Sequence, residues 1–316
     1  MHKFKNVFIN DYYSLAGPLE KKSNLKNCDY FMDDYYFGEK TPEKSESKMQ
    51  KIVIQNLIKN ERPDLIIGSD LNNQLTATSL SVVDLKIPYM GHYCACASSA
   101  SMLITLANFI MSKNIKRGLF IISSHTLTAE KQFRFPVEYG APKPIRGSQT
   151  ATGAVGIIAS NQKSKIKIVS GLLGKVIDSG IKDVHNMGAI MAPSAVDTLI
   201  NFLNKSKTTV KDYDLILTGD LGKVGSEIFK AVLQKEYKIK ITNHLDAGAT
   251  LYKNFEYSGA SGPSVLPLTL VTKILTNNKY KKILYLATGS LHSTLLVNQK
   301  NSIPTLTHAL YLEVGL

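Results

Sequence analysis

One short segment constrains this chain more than any other. Residues 64–71 (DLIIGSDL) return as residues 214–221 (DLILTGDL), a spacing of 150 with five of eight positions identical. Each copy reads as a buried strand that ends in a small-residue turn and an Asp. A helical pattern follows each, at 74–85 and at 224–235. Chance alone produces eight-residue matches, but two further echoes keep the same order. Residues 116–124 (KRGLFIISS) match 281–289 (KKILYLATG), and Ala97-Ser98 matches Ala260-Ser261, each opening a helical run. Strands separated by helices predict mainly parallel sheet covered on both faces. Two βαβαβ halves in tandem predict a five-layered α-β-α-β-α body. The first half is expected over 1–164 and the second over 165–316, which opens with KIKIVSGLLGKVIDSG.

Composition narrows the class. With 316 residues and 44% hydrophobic content the chain can bury a large core. No apolar run approaches the roughly 18 residues of a membrane-spanning helix. The start, MHKFKNVFIN, lacks the apolar stretch of a signal peptide. The expectation is a cytosolic protein, or one that sits on a membrane as a peripheral subunit. The three cysteines, Cys28, Cys94 and Cys96, read as free thiols. Cys94 and Cys96 form a C-x-C pair without a second pair or a spaced His pair, which argues against zinc.

The net charge of +13 comes almost wholly from lysine, since only Arg62, Arg117, Arg134 and Arg146 are arginines. The lysines are spread along the chain and read as a solvated surface that also favours anionic lipid or an anionic ligand. No basic-aromatic motif supports nucleic-acid binding. Residues 123–150 are polar and rich in Pro and Gly, and read as an excursion that shapes a site rather than as core. The aromatic cluster Tyr30, Phe31, Tyr35, Tyr36 and Phe37 reads as a loop packed on the body.

Cys96 lies in GHYCACASSASMLITLANFI. A strand at 88–93 runs into a small-residue turn, and a helix follows with apolar residues at Leu103, Leu106, Ala107 and Ile110. A helix N-terminus lowers a thiol's pKa, which would favour the thiolate. The residues alone leave two readings open: a reactive thiol, or a buried Cys used as a small hydrophobe.

A duplicated βαβ body with a cysteine at the helix start of its first half resembles the thiolase fold of ketoacyl synthases and thiolases. Within that superfamily, YFGEKTPEKSESKM (36–49), SSHTLTAEKQFRFPVEYG (123–140), NMGAIMAPSAVDT (186–198), YDLILTGDLGKVGSEI (213–228) and LATGS (286–290) resemble the stage V sporulation protein AD family. The likeness runs from the N-terminus to near residue 310. Condensing enzymes of the superfamily join the cysteine to His-and-Asn or His-and-His partners that stabilise an enolate. By chain order the His would follow strand 215–218, where this chain has Gly219-Asp220 and no histidine before His244. The Asn would lie in residues 258–262 (SGASG), which hold neither Asn nor His. Thiolases need a second Cys near 287–293 (ATGSLHS), which has none. An anionic Asp220 would repel an enolate, so the expectation is a pseudo-enzyme whose pocket binds.

The resemblance implies a soluble subunit of the machinery that moves dipicolinic acid into the forespore, with a role in germination. It further implies calcium as the ligand's companion ion, other stage V sporulation A membrane proteins as partners, and the cytoplasmic side of the spore inner membrane as the location. A planar dianion suits bidentate arginine and lysine. Cys96, His125, Lys131, Arg134, Arg146 and Asp220 are the expected ligand-binding residues, with Lys143 beside them. Asp220 is expected to position a lysine, a water or a calcium ion. The alternative is a ketoacyl-synthase-type acyltransferase that uses Cys96 with His125, His244 or His292. A third reading is a scaffold with a vestigial pocket. Superfamily members are commonly dimers, and residues 117–124 are the expected edge strand of a homodimer.

Overall fold

The computed structural model describes residues 1–133, 143–277 and 279–315. In chain order the first part holds β1 (His2–Lys3), β2 (Phe8–Ala16), α1 (Pro18–Lys21), β3 (Tyr30–Phe31), α2 (Pro42–Leu57), β4 (Leu65–Ser69), α3 (Thr76–Val82) and β5 (Tyr89–Gly91). It continues through α4 (Ser98–Met111), β6 (Arg117–Ser124), α5 (Thr126–Phe133), β7 (Ser148–Thr150) and β8 (Gly153–Ser160). Then come β9 (Ile166–Leu172), α6 (Met187–Ser206), β10 (Leu215–Thr218), α7 (Gly222–Tyr237), β11 (His244–Asp246), α8 (Ala247–Leu251) and β12 (Gly259–Ser261). The chain closes with α9 (Val265–Thr269), β13 (Lys282–Ser290), α10 (Thr294–Asn298) and β14 (Thr305–Val314).

The duplication is exact at the level of strand order. The main path reads β5-β4-β6-β8-β2 and then β9-β14-β13-β10-β11, the same sequence of roles in mirror order. β4 lies parallel to β5 and β6, as β10 does to β11 and β13. The two sets join where Phe8 and Ile9 pair with Lys167 and Ile166. The octapeptide and the basic echo prove to be one device used twice. The Asp64 carboxylate accepts the backbone N–H groups of Lys116 and Arg117 at 2.8 and 3.1 Å. Asp214 accepts those of Lys281 and Lys282 at 2.7 and 2.8 Å. Each aspartate thus locks its strand in register with the next.

Two expectations change. The long strands β8 and β14 run antiparallel to both neighbours, so each set is mixed rather than mainly parallel. The segment Arg117–Ser124, expected as a dimer edge, is paired on both sides as β6 and has no free edge. The ends of the path are β5 and β11.

Burial explains the layering. A helix with apolar residues on one face covers one side of a sheet; one apolar all round must be enclosed. α4 is of the second kind, with Ala100, Met102, Leu103, Ile104, Leu106 and Ala107 all buried. It sits in a central core with Phe120, Ile122 and Val155 of one strand set and Leu217, Tyr285 and Leu310 of the other. An outer core joins α2 to β4, β6 and β8 through Met49, Val53, Ile66 and Ile158. The opposite outer core joins α6 and α7 to β10 and β13 through Leu199, Phe229, Ile216 and Leu284. The order is therefore α-β-α-β-α. Among the described residues no helix is long and apolar enough to cross a membrane.

Candidate functional site

The site grows from the turn between β5 and α4. Ala95 takes a left-handed backbone, φ +48°, which bends the chain sharply ahead of Cys96. Ser98 fixes the bend, because its Oγ donates to the Ala95 carbonyl at 2.7 Å and accepts the Cys94 N–H at 2.8 Å. Gly289 of β13 packs against the same turn. A Cβ there would lie 2.7 Å from the Ala97 nitrogen, so the LATGS run needs its glycine for close approach. Tyr285, also on β13, donates to Ser99 Oγ at 2.7 Å. The Cys96 turn is held from both strand sets at once.

Cys96 is half-buried and forms part of the floor of a cleft of about 700 Å³. One wall is α5, through Ala129, Lys131 and Phe133; another is the small parallel sheet of β7 and β12. The rim carries Tyr93, Lys143, His185 and His292.

Asp220 follows β10 and is 3% exposed. It holds φ +64°, a left-handed backbone in a residue that has a side chain to place. Its carboxyl neighbours Cys96 and Gly262. Its Oδ1 is buried and has no hydrogen-bond partner. Burial pushes Asp220 well above the usual carboxylate range; the thiol and the Gly262 N–H oppose that shift and the charge of Asp246 adds to it. Burial also raises the Cys96 thiol well above its ordinary value, and the charge of Asp220 raises it further. Burial thus opposes the helix-dipole expectation of a thiolate. Desolvation first, and then the charge of Asp220, act against the partial charge of the helix end.

The other expected residues divide sharply. Lys131 lines the cleft and pairs with Glu43 at 2.6 Å. Lys143 lines it as well, pairs with Glu130, and donates to Gln149 Oε1 at 2.7 Å. His125 is fully buried away from the cleft floor. Its Nδ1 accepts the Leu127 N–H at 3.2 Å, so Nε2 carries the proton and donates to the Tyr35 carbonyl at 2.7 Å. Burial lowers its pKa, and the neutral ring caps the start of α5 rather than meeting an anion. Arg146 points at Asp183, Nε to Oδ2 3.0 Å, and is not among the cleft-lining side chains. Arg134 lies outside the described residues. No lysine contacts Asp220 among the groups that set its charge, and no cluster of three or more metal-ligating side chains occurs among the described residues.

Of the three histidines in the acyltransferase alternative, only His292 lines the cleft, its ring 5.1 Å from that of Phe133. His244 bonds Thr218 Oγ1 at 2.8 Å and packs on Phe229; burial, then Lys230, pushes it down to about 3. Sequence reading missed His185, which reaches the rim from the loop before α6. It also missed a buried acid cluster behind the α5 wall. There Glu46 accepts from Asn72 Nδ2 at 2.9 Å, from Thr128 Oγ1 at 2.8 Å and from Ser123 Oγ at 2.8 Å. The helical period of α2 puts Glu46 on the face that carries Met49, Val53 and Leu57, and a charged residue on an apolar face is the one signal of it.

The comparisons with known proteins agree with this geometry. The family model described as stage V sporulation protein AD matches residues 2–313. The chain is 34% identical to the stage V sporulation protein AD of Bacillus subtilis (strain 168), covering 97% of this chain and 94% of that protein. Among solved structures, a variant of Xanthomonas campestris OleA superposes with a TM-score of 0.64 at 13% identity, over 99% of this chain and 100% of that one. The 3-oxoacyl-[acyl-carrier-protein] synthase III of Aquifex aeolicus superposes with a TM-score of 0.54 at 14% identity, over 99% and 100%. These structural likenesses establish the thiolase-like fold.

Proposed function

Because the chain belongs to the stage V sporulation protein AD family, we propose that it is a sporulation protein that binds dipicolinate in the Cys96 cleft without turning it over. In this reading it serves dipicolinate uptake into the forespore and its release in germination. It acts as a peripheral subunit beside the other stage V sporulation A membrane proteins, on the cytoplasmic side of the inner membrane. Calcium enters as the ligand's companion, as cargo rather than a resident ion.

The observation that carries the reading is that buried Asp220 stands in the second half beside Cys96. A working condensing site needs a donor there that stabilises negative charge as it develops. This site holds a carboxyl where the resembled condensing enzymes place their histidine, and residues 258–262 hold neither Asn nor His. The remaining features suit a small planar dianion. The cleft is of ligand size. Lys131 and Lys143 hold two ammonium groups on its wall, fixed by their pairs with Glu43 and Glu130.

Calorimetric titration with dipicolinate, with and without calcium, tests the reading. Binding in the micromolar range is expected. Lys143→Ala is expected to weaken it about tenfold and the exposed Lys163→Ala to leave it unchanged. Absence of binding would sink the reading, and equal effects of the two variants would move the ligand out of this cleft. The acyltransferase reading retains one supporting observation, His292 on the cleft rim. Stable acylation of Cys96 by a thioester, followed by malonyl-dependent turnover, would replace the binding reading with it.

A further inference from the structure

The fold gathers lysines that the sequence scatters. The parallel ladders put the starts of β4, β5, β6, β10, β11 and β13 at the end of the sheet away from the cleft. β9 starts at the same end, and β8 and β14 finish there, since Arg117 pairs with Ser160, Phe8 with Lys167 and Lys282 with Glu313. Five segments at that end carry three basic residues each: 111–117 (MSKNIKR), 163–167 (KSKIK), 205–211 (KSKTTVK), 235–240 (KEYKIK) and 279–282 (KYKK). Glu236 is the one acid among them. Taken whole, that end comprises 59–64, 84–88, 111–117, 160–167, 204–214, 235–243, 279–282 and 313–315, with eighteen Lys and Arg against seven Asp and Glu. The rest of the chain, cleft walls included, holds twenty against eighteen. The net charge of +13 is thus almost wholly a property of one face.

This charge is also uncommitted. The basic residues of the five segments are all exposed except Arg117 and Lys167. Arg117 pairs with Glu61 at 3.1 Å, and among the described residues none of the other fourteen has an ion pair. At the cleft end, by contrast, Lys131, Lys143 and Arg146 each face an acid. Helix C-termini favour lysine, and α4, α6 and α7 finish on the basic face. The connector 161–165 joins two strands, however, and has no helix to complement. Met111 and Tyr237, 42% and 43% exposed, add apolar and amphipathic surface to the same face.

We propose that this face docks on an anionic phospholipid bilayer, with the Cys96 cleft turned away from the lipid and open to water. The inference rests on the peripheral-subunit reading and names the surface and the lipid chemistry. Each exposed lysine near an anionic leaflet adds attraction, which salt screens. Fourteen of the fifteen basic residues are lysines, hydrated point charges that suit a field of headgroups. The one arginine is spent on Glu61, so the face offers no free guanidinium fork to the edges of nucleic-acid bases.

The test is co-sedimentation of the full chain with vesicles, without dipicolinate and without any membrane protein. Vesicles of equal phosphatidylglycerol and phosphatidylcholine are expected to pellet the protein at about 0.1 M salt and to release it at about 0.5 M. Pure phosphatidylcholine is expected to leave it in solution. The combined variant Lys163→Gln, Lys207→Gln, Lys238→Gln is expected to bind the anionic vesicles about a hundredfold more weakly. Lys175→Gln, Lys182→Gln, Lys300→Gln, on loops at the cleft end, is expected to lose less than about threefold. Lysine acetylation read by peptide mass is expected to show Lys163, Lys207 and Lys238 protected by the vesicles and Lys131 and Lys182 not. Equal binding to both kinds of vesicle, equal losses in the two variants, or protection at the cleft end overturns the proposal. Tighter binding to a single-stranded RNA than to the vesicles at the same salt overturns it in favour of nucleic acid. Failure to bind anionic vesicles overturns it too, while docking through a membrane protein, and dipicolinate binding in the cleft, would stand or fall by their own measurements.

Discussion

Asp70 and Asp220 end equivalent strands in the two halves, and their circumstances are opposite. Asp70 is completely buried and completely used. Its Oδ1 accepts from the Asn72 N–H and Nδ2 at 2.7 and 3.1 Å, and its Oδ2 from the Thr78 N–H and Oγ1 at 2.8 and 2.5 Å. Asp220 is as deeply buried, yet its Oδ1 is unpartnered. The first aspartate builds the fold: it ties the end of β4 to the start of α3. The second is tolerated by the fold. Duplication supplied the same residue type at the same strand end. Only the half that faces the Cys96 turn leaves it partly unpaired.

The largest expected difference follows directly. Asp70→Ala strands two backbone and two side-chain donors in the interior and is expected to cost about 3 kcal/mol or more in urea unfolding. Asp220→Ala removes a buried carboxyl that lacks a full set of partners, and is expected to change stability by less than about 1 kcal/mol, or to raise it. Equal losses would erase the contrast between the two strand ends.

A second difference is read by pH. Glu20 of α1 is buried; desolvation raises it to about 7, against a hydrogen bond from Tyr252 in the other half. A carboxyl raised in the folded state keeps its full contribution below the ordinary carboxylate range and loses it as pH rises through the folded value. Melting temperature is therefore expected to fall between pH 5 and 8. For Glu20 alone the loss is of order 3 kcal/mol. Glu46, raised to about 7 by burial and then by Asp70, and Asp246, raised to about 6 by burial, add losses of the same sign. Glu20→Gln is expected to flatten the profile, and an unchanged slope would move the titration to the acids inside one half.

The smallest effect tests where the halves are alike. Asp64 and Asp214 are exposed and make the same pair of bonds to the following strand. Asp64→Ala and Asp214→Ala are each expected to cost about 1 kcal/mol, within a few tenths of one another. A clear inequality would show that the register clamp matters in only one half.

The fold was legible because duplication leaves two independent copies of one pattern, and a strand followed by small residues and an apolar helix reads the same in each. The turn that carries Cys96 was legible for the same reason, down to the alanines and serines that make it tight. The burial that pushes the thiol up was not, since spacing and residue type do not say how deeply a side chain at a turn is enclosed. His125 and Arg146 sit in a polar stretch of just the kind that builds sites. Polarity does not say which way a ring faces, and His125 turns inward to a carbonyl while Arg146 turns outward to Asp183. Hydrophobic spacing likewise hid Glu46, a single acid within an apolar face.

α4 belongs to the cores of both strand sets, and Cys96 sits one residue ahead of its N-cap. Drawing the halves apart would strip that helix to solvent, so they cannot act as jaws. In the proposed binding reading, ligand exchange is left to the rim, where the loops bearing His185 and His292 and the β7 approach meet. Entry and exit should therefore run at the pace of loops, nanoseconds to microseconds, rather than that of domain closure. In that reading the cleft is a port with a fixed floor, and its selectivity resides in what its rim admits.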